Sequence, residues 1–336
     1  MFADKKVLGI DIGTRYIKFA LVKQGGKPEV VASAIVPTPA GCIRDGLIMD
    51  LQALSEKLKS VISENNLMAK KVAVNINSSS IVVRELLLAA LKDDEIQPAV
   101  QFELSQSFPH MIQTHATAFK IYSRTSDSLT GITTSCPKEI VEEYKKLSEK
   151  AGIPIKYIDV NANSLAKAYN HFIMPPGIGD SVLLVDISYS MSQVNVLLDG
   201  KLILSRNISA GGAFVDSLIV NRFDISMEEA EGARRNGYLN LSISQEELDS
   251  CMRLGYSAVE EQIRQTLDFI SYNKFQDGIK SICLTGGGCN FLGLGTYFSN
   301  SFKIPVHIAQ SKNTSLEVSD TFFILMPAIG AALRED

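Results

Sequence analysis

Apolar and polar positions in the first eighty residues predict three strands, a helix and a further strand. Three short apolar runs separated by turn residues are typical of a meander, at residues 7–10, 17–23 and 30–37. Apolar residues then recur at helical spacing over residues 49–65, where Asp50 is placed to cap the start of the helix. The apolar run 72–76 that follows is typical of a buried strand.

The next stretch, residues 82–151, differs in character, and we predict that it forms a small inserted subdomain. Its pattern indicates a polar-rimmed helix with Asp93 at its start, two strands and an amphipathic helix, at residues 91–108, 116–122, 128–134 and 138–150. A strand and a helix at 153–169 then return the chain to the first lobe. The Pro- and Gly-rich segment 174–181 is the break expected at a hinge between lobes.

The second half repeats this plan. The predicted elements are three strands, two charged helices, two further strands and a last helix, at 182–185, 193–198, 201–208, 227–236, 245–273, 280–284, 306–308 and 327–334. We therefore predict an α/β fold with two lobes that each carry a small insert. The boundaries are 1–81 and 152–180 for the first lobe, 82–151 for its insert, 181–225 and 278–336 for the second lobe, and 226–277 for its helical insert.

The two lobes also share a short sequence unit. GIDIGTRYIKFALV at residues 9–22 recurs in altered form as LVDISYSMSQVNVL at 184–197, with an apolar run, an aspartate, a turn of small residues and a second apolar run. An aspartate in one such turn most often caps its own loop. Two of them, Asp11 and Asp186, at matching turns instead favour a cleft between the lobes that holds a metal and a phosphate chain.

Small and basic residues near these turns supply a phosphate site of a kind other than the P-loop, whose sequence pattern is absent. Gly13 permits close backbone approach, the amides near Thr14 and Arg15 would point at anionic oxygens, and Lys18 would add a positive charge. Asp11 would hold Mg²⁺ mainly through water. Glycine clusters at 211–212 and 286–288 are either tight turns or places where the backbone approaches phosphates and the flat face of a nucleoside.

Composition limits the partners of this 336-residue chain. A net charge of −4 without a long basic block argues against nucleic acid, and five scattered cysteines argue for free thiols in a reducing cytoplasm. The charged first residues are unlike a signal peptide, and no uncharged apolar run is long enough to span a membrane. The last residues lack an amphipathic helix, so we expect membrane association only through a partner.

The motifs together resemble the actin-like ATPase superfamily, with its duplicated two-lobe, ribonuclease H-like fold. Five blocks of that superfamily occur in order, two phosphate loops, two connecting segments and an adenosine block, at 11–18, 158–169, 186–190, 284–290 and 327–333. Within it the chain is most similar to the PilM family of type IV pilus assembly proteins, which is related to FtsA. That resemblance lies outside the ATP blocks, at residues 41–54, 82–96, 101–109, 146–160 and 226–237.

The resemblance implies Mg-ATP bound between the lobes. Its implied contacts are Asp11, Gly13, Thr14, Arg15 and Lys18 on one side, Asp186, Ser188, Ser190, Gly211 and Gly212 on the other, and Glu231, Arg234, Gly286, Gly287, Gly288 and Asn290 around the ribose and adenine. Asp11 and Asp186 would serve the metal. It also implies a cytoplasmic protein that binds the N-terminal segment of PilN beside the first insert, peripheral to the inner membrane, with other pilus assembly proteins or a second copy as further partners.

Two departures from the superfamily pattern argue against fast catalysis. Ser188 stands where a glycine is usual, and Asn161 stands in the first connecting segment where many relatives carry an acid. An amide orients a water but cannot take its proton. We therefore expect ATP hydrolysis to be slow or absent and assign no catalytic residue. A filament-forming cytoskeletal protein and a small-molecule kinase stay open as alternatives.

Overall fold

A computed structural model describes residues 6–174, 177, 180–236, 243–273, 278–311 and 316–334. Its strands are β1 Lys6–Ile12, β2 Tyr16–Lys23, β3 Glu29–Pro37, β4 Ile43–Arg44, β5 Leu47–Ile48, β6 Val72–Ile76, β7 Val82–Ala89, β8 His115–Arg124, β9 Ser128–Pro137, β10 Ile155–Val160, β11 Ser181–Ile187, β12 Ser192–Leu198, β13 Lys201–Ile208, β14 Ser281–Thr285 and β15 Val306–Ile308. Its helices are α1 Leu51–Glu64, α2 Asp93–Ser107, α3 Met111–Thr114, α4 Lys138–Ala151, α5 Asn161–Phe172, α6 Gly212–Phe223, α7 Met227–Asn236, α8 Gln245–Gly255, α9 Ser257–Asn273, α10 Leu294–Phe302 and α11 Leu316–Ala332, with a 3₁₀ turn at Gly287–Cys289.

The first sheet has the order β10-β6-β1-β2-β3 and confirms the predicted meander. Strands β1, β2 and β3 pair antiparallel in sequence, whereas β6 and β10 run parallel to β1. Residues of β1 after its first are buried on both faces, as expected of a central strand. The predicted cap of α1 is also confirmed, because the Asp50 carboxylate accepts a hydrogen bond from the amide of Ala53 at 3.0 Å.

The second sheet confirms the repeat and extends it. Strands β11, β12 and β13 form the matching meander, and β14 runs parallel to β11 as β6 does to β1. Three strands of the predicted insert, β7, β9 and β8, then continue the same sheet, which has eight strands in the order β15-β14-β11-β12-β13-β7-β9-β8. One residue pair, Leu204 with Arg84, joins β13 to β7. The insert therefore attaches to the sheet of the second half at a narrow junction.

Two helices, α5 and α11, cross between the sheets in close backbone contact. A Cβ atom on Gly330 of α11 would lie 1.8 Å from the carbonyl oxygen of Ser164 in α5, and one on Gly9 of β1 would lie 1.8 Å from that of Ala328. The predicted start of the last helix at Pro327 was wrong. Helix α11 begins at Leu316, so Pro327 lies inside it.

The buried apolar side chains of the described residues form two clusters. The large one joins both sheets, α1, α4, α5 and α11. The small one lies between α2 and the strands of the insert, around Leu88, Val100, Leu104 and Leu129. Parts of the predicted hinge and of the second helical insert lie outside the described residues. No helix in the described ranges is long and apolar enough to cross a membrane.

Candidate functional site

A cavity of about 280 Å³ opens where the β1–β2 and β11–β12 turns face each other. The turns come from the two copies of the repeat, and α7 and the 3₁₀ turn form the far wall. The sequence-predicted residues that line it are Asp11, Gly13, Thr14, Arg15, Lys18, Ser188, Ser190, Gly212, Glu231, Arg234, Gly287, Gly288 and Asn290. The structure thus gathers into one cavity residues that lie up to 279 positions apart in sequence, from Asp11 to Asn290.

Asp11 lies at the carboxyl end of β1 and is almost fully buried. Lys18, its partner across the β1–β2 pair, places Nζ 2.6 Å from Asp11 Oδ2. The amide of Asn75, next to Asp11 on parallel strand β6, donates to Asp11 Oδ1 at 2.9 Å. Both carboxylate oxygens therefore already have partners, and a cation held mainly through water disturbs this arrangement least.

Asp186 occupies the matching place in the second sheet. It is 1% exposed, and this burial raises its pKa, although the Asn161 hydrogen bond and the nearby Lys18 charge act in the opposite direction. The Asn161 side-chain amide donates to Asp186 Oδ2 at 2.8 Å, and the Ser188 hydroxyl donates to Oδ1 at 3.1 Å. Unlike Asp11, Asp186 lies behind the cavity wall rather than among the residues that line it.

Three contacts between cavity-lining residues join the two halves. The hydroxyls of Thr14 and Ser190 are 3.1 Å apart, and Arg15 donates to Glu231 at 3.0 Å while the Tyr16 hydroxyl donates at 3.1 Å. Burial alone would raise the pKa of Glu231, but the Arg15 and Tyr16 hydrogen bonds outweigh it and the pKa lies below its usual value. Glu231 is therefore a carboxylate held by the opposite half of the molecule.

Arg234 supports the far wall. It is buried, its Nε donates to Asp216 at 2.7 Å, and one of its terminal nitrogens donates to the carbonyl of Gly287 at 3.1 Å. Tyr256 donates to the carbonyl of Gly288 at 2.6 Å from the other side. These side chains hold the glycine turn, and Arg234 lines the cavity while two of its nitrogens bind protein groups.

Pro327 explains how the glycine turn is attached to α11. A proline inside a helix has no N–H, so the carbonyl four residues earlier loses its helical partner. That carbonyl belongs to Phe323, and it accepts the amide of Gly286 at 2.8 Å and the Thr285 hydroxyl at 2.6 Å. The helix interior thus supplies an acceptor that an uninterrupted helix would have used itself.

The predicted glycines divide into two groups. Gly13, Gly212, Gly287 and Gly288 line the cavity, and a Cβ on Gly287 would meet nothing within 4 Å. Gly211 and Gly286 are not among the described lining residues. Their missing side chains make room for protein instead, since a Cβ on Gly211 would lie 2.5 Å from the Ser188 carbonyl and one on Gly286 2.2 Å from Asp186 Oδ1.

The donors fit a phosphate chain better than a bare metal ion. Lys18 and Arg15 carry positive charge, Thr14, Ser188 and Ser190 carry hydroxyls, and all five line the cavity. Within the ranges that the structure describes, no group of three or more His, Cys, Asp or Glu side chains could ligate a metal by itself. A cation here would need ligands from water and from the phosphates in addition to Asp11 and Asp186.

Several lining residues were not predicted from the sequence, notably Tyr16, Asp45, Asn77, Tyr189 and Arg235. Asn75, which binds Asp11 from behind, was also missed. It is the single polar residue of the buried strand VAVNI, and it is level with Asp11 on one side and Asp159 on the other. A polar residue at the carboxyl end of an apolar parallel strand is the signal that could have identified it.

Comparison with known proteins assigns the family. A family model described as type IV pilus assembly protein PilM matches residues 9–335. A chain in a structure of the PilM-PilN type IV pilus biogenesis complex is similar over 98% of this chain and 99% of its own length, with 17% identity and a TM-score of 0.83.

Two further solved structures share the actin-like fold. The ethanolamine utilization protein EutJ from Carboxydothermus hydrogenoformans has 17% identity, coverage of 97% and 88% and a TM-score of 0.59. MreB 5 of Spiroplasma citri bound to AMPPNP has 15% identity, coverage of 97% and 94% and a TM-score of 0.56. At these identities the likeness shows the fold, and it confirms the predicted two-lobe actin-like class.

Proposed function

The chain belongs to the PilM family of type IV pilus assembly proteins, and on that premise we propose that it is a nucleotide-binding scaffold that holds the N-terminal segment of a PilN-type partner. The observation that carries the proposal is the match over nearly the whole length to the chain in a PilM-PilN complex. The partner would bring this chain to the inner membrane, together with other pilus assembly proteins.

Mg-ATP is the proposed nucleotide, because the cavity has two copies of a phosphate-type turn facing each other. Gly13, Thr14, Ser188 and Ser190 would bind the phosphate oxygens, and Lys18 would neutralise part of their charge. Asp11 and Asp186 would hold Mg²⁺ through water. The MreB 5 structure contains AMPPNP in the same fold, which supports a nucleotide as the ligand class.

The nucleoside would lie against the open side of Gly287, with Gly212, Gly288 and Asn290 beside it. Glu231 would reach the ribose only after releasing Arg15 and Tyr16, the two groups it holds in the structure. Bound Mg-ATP supplies a hydrolysable phosphate chain. Where hydrolysis would need a base, the protein has the side-chain amide of Asn161. Nucleotide would therefore act by setting the angle between the halves rather than by rapid turnover.

The partner segment is proposed to bind beside the insert formed by β7, β8, β9 and α2. This part of the chain exposes large apolar side chains, with Leu87 71% and Phe102 62% accessible to solvent. Exposed apolar groups of this size are typical of a peptide-binding surface. Leu87 belongs to β7, the strand that joins the insert to β13. A peptide bound here would therefore be affected by a change in the position of β7.

The test is a titration of a fluorescent peptide, the first residues of a PilN-type partner, into the full chain with and without Mg-ATP. We expect saturable binding that a Leu87→Ser variant weakens about tenfold, since one lost anchor costs roughly 1–2 kcal/mol. Leu292→Ser is the control, because it makes the same change at an exposed leucine elsewhere, which is 52% accessible to solvent. Absence of peptide binding in both nucleotide states would remove the proposal's main support.

Two simple measurements separate this proposal from the alternatives. A rise in light scattering on adding Mg-ATP would favour a filament-forming protein. Transfer of phosphate to a member of a panel of sugars and acids would favour a kinase, which needs a carboxylate poised to take the proton of a substrate hydroxyl.

A further inference from the structure

Four side-chain amides form a continuous hydrogen-bonded chain through the interior, and we call it the amide chain: Asn75, Asn161, Gln193 and Asn207. Asn75 donates to Asn161 at 3.1 Å, Asn161 donates to Gln193 at 3.2 Å, and Gln193 donates to Asn207 at 2.8 Å. The first three are buried. Because amides do not titrate, this chain keeps one direction of donors and acceptors at every physiological pH.

One end of the amide chain holds Asp11 and Asp186, the two aspartates of the repeat. Asn75 donates to Asp11 at 2.9 Å and Asn161 donates to Asp186 at 2.8 Å. These two amides and two carboxylates connect the first sheet to the second. The Asn75 side-chain oxygen is buried without a hydrogen-bond partner among the described residues. An unpaired buried acceptor costs about 1–3 kcal/mol, which favours rearrangement when a ligand or its water offers a donor.

The other end holds the start of the insert. The Asn207 amide lies 3.2 Å from the carbonyl of Ser78 and 3.1 Å from that of Ile81, directly before β7. On its opposite side this loop is held by Asp45, a cavity-lining residue that accepts the Ser79 amide at 2.7 Å and the Ser79 hydroxyl at 2.6 Å. Residues 78–81 are thus clamped between the cavity and β13, next to the single pair that joins β13 to β7.

From this continuity we infer that Gln193 and Asn207 are positioning residues that couple occupancy of the cavity to the position of β7 and the insert. A ligand that draws Asp11 or Asp186 toward itself must change the hydrogen bonds of Asn75 and Asn161, and buried polar groups keep their bonds by moving together. The change reaches Asn207 and shifts residues 78–81. This inference rests on the proposed binding of nucleotide and names its route to the peptide-binding part.

Hydrogen exchange of the full chain with and without Mg-ATP tests this, read by mass spectrometry in peptides that cover residues 82–89. We expect nucleotide to slow exchange there about fivefold, the lower end of measured couplings between sites. Asn207→Ala and Gln193→Ala should bind Mg-ATP with affinity within about threefold of the parent, because neither side chain lines the cavity, yet lose the response in β7.

Asn195→Ala is the matched control. Asn195 is a buried amide on the same strand as Gln193, but it donates to the carbonyl of Leu184 and has no bond to the amide chain. This variant should be destabilised by a similar amount and keep the response. Asn207→Asp provides a second test, because it keeps the acceptor for Gln193 and loses the donor to residues 78–81; it too should lose the response.

The outcomes distinguish the inference from the proposed function. If the parent chain binds no nucleotide, both fail. If nucleotide binds and exchange over residues 82–89 is unchanged, or if Asn207→Ala and Asn207→Asp respond as the parent does, the inference fails while nucleotide binding stands.

Discussion

Asp11 and Asp186 are equivalent in the repeat but have different surroundings. Asp11 lines the cavity and is paired with Lys18, whereas Asp186 lies behind the wall and is held by Asn161 and Ser188. Asp11 is thus placed to act on a ligand directly, and Asp186 through bound water or through Ser188. The sequence predicts their equivalence because the copies align, but it cannot predict this difference in depth.

We predict that Asp11→Ala and Asp186→Ala each weaken retention of Mg-ATP at least about tenfold, since each removes a charge that would hold the metal. Retention is measured by mass spectrometry of nucleotide released from purified protein. Asp50→Ala is the control, because it removes an exposed helix cap that does not line the cavity, at a cost of about 1 kcal/mol. Unchanged retention in both cavity variants would show that the nucleotide site lies elsewhere.

Asn161→Asp should place a third carboxylate beside Asp186 and remove two donated hydrogen bonds. At pH 8 we expect a loss of about 3 kcal/mol in the free energy of unfolding. The pKa of the new carboxyl is raised in the folded state, so the folded chain binds a proton more readily than the unfolded chain does. The loss should therefore shrink as pH falls from 8 to 5, because a proton taken up by the pair restores a hydrogen-bond donor.

Urea unfolding at pH 8 and pH 5 measures this difference against the parent chain. Asn161→Ala is the uncharged control, and its loss should be nearly the same at both pH values because it introduces no titrating group. An equal loss for Asn161→Asp at both pH values would contradict the interaction between residue 161 and Asp186.

At the scale of elements, the crossing of α5 and α11 sets the distance between the sheets. Gly330→Ala would drive a methyl group into the backbone carbonyl of Ser164, which no rotamer change relieves. We expect a loss of about 2–3 kcal/mol, because the overpacking exceeds the gain in helix propensity. Gly295→Ala in α10 has open space around it and should instead stabilise by up to about 1 kcal/mol.

Urea midpoints of the two alanine variants provide the comparison, because both make the same chemical change inside a helix. Opposite signs would confirm that the crossing leaves no room. If Gly330→Ala is neutral, the helices are able to separate at little cost, and the close crossing is not what fixes the two halves.

Local patterns predicted the elements well and the joins between them poorly. Asp50 and the apolar spacing after it identify α1 because a cap and a 3.6-residue period are local signals. The sequence predicts a helix start at Pro327, and proline is indeed favoured in the first turn of a helix. The bonds that make it tolerable inside α11 come from Thr285 and Gly286, about forty residues away, and no local pattern contains them.

At the scale of the whole molecule, the pairing of β13 with β7 could not be predicted from local sequence patterns either. The sequence predicts residues 82–151 as an insert of the first lobe, because the chain leaves and re-enters that lobe there, and it does not predict which sheet the insert joins. The pair Leu204–Arg84 instead continues the second sheet into it. Asn207 and the loop at 78–81 strengthen this join. The insert is therefore tied to both halves, which is the property that a sensor of the angle between them requires.

Asp11 and Asp186, one from each copy of the repeat, are the two carboxylates proposed to act on the cation, and a cation would reduce their repulsion of a phosphate chain. Removal of Mg²⁺ with EDTA should therefore weaken ATP binding about 100-fold, since unscreened like charges a few ångströms apart repel by several kcal/mol. The net charge of −4 adds to this penalty.

Asp186→Asn should reduce that penalty to about tenfold by removing one of the two charges. Titration calorimetry of ATP with Mg²⁺ or with EDTA, for the parent and for this variant, measures both effects in the same buffer. An EDTA penalty that is the same in both proteins would mean that Asp186 does not act on the metal and has a purely structural role through Asn161 and Ser188.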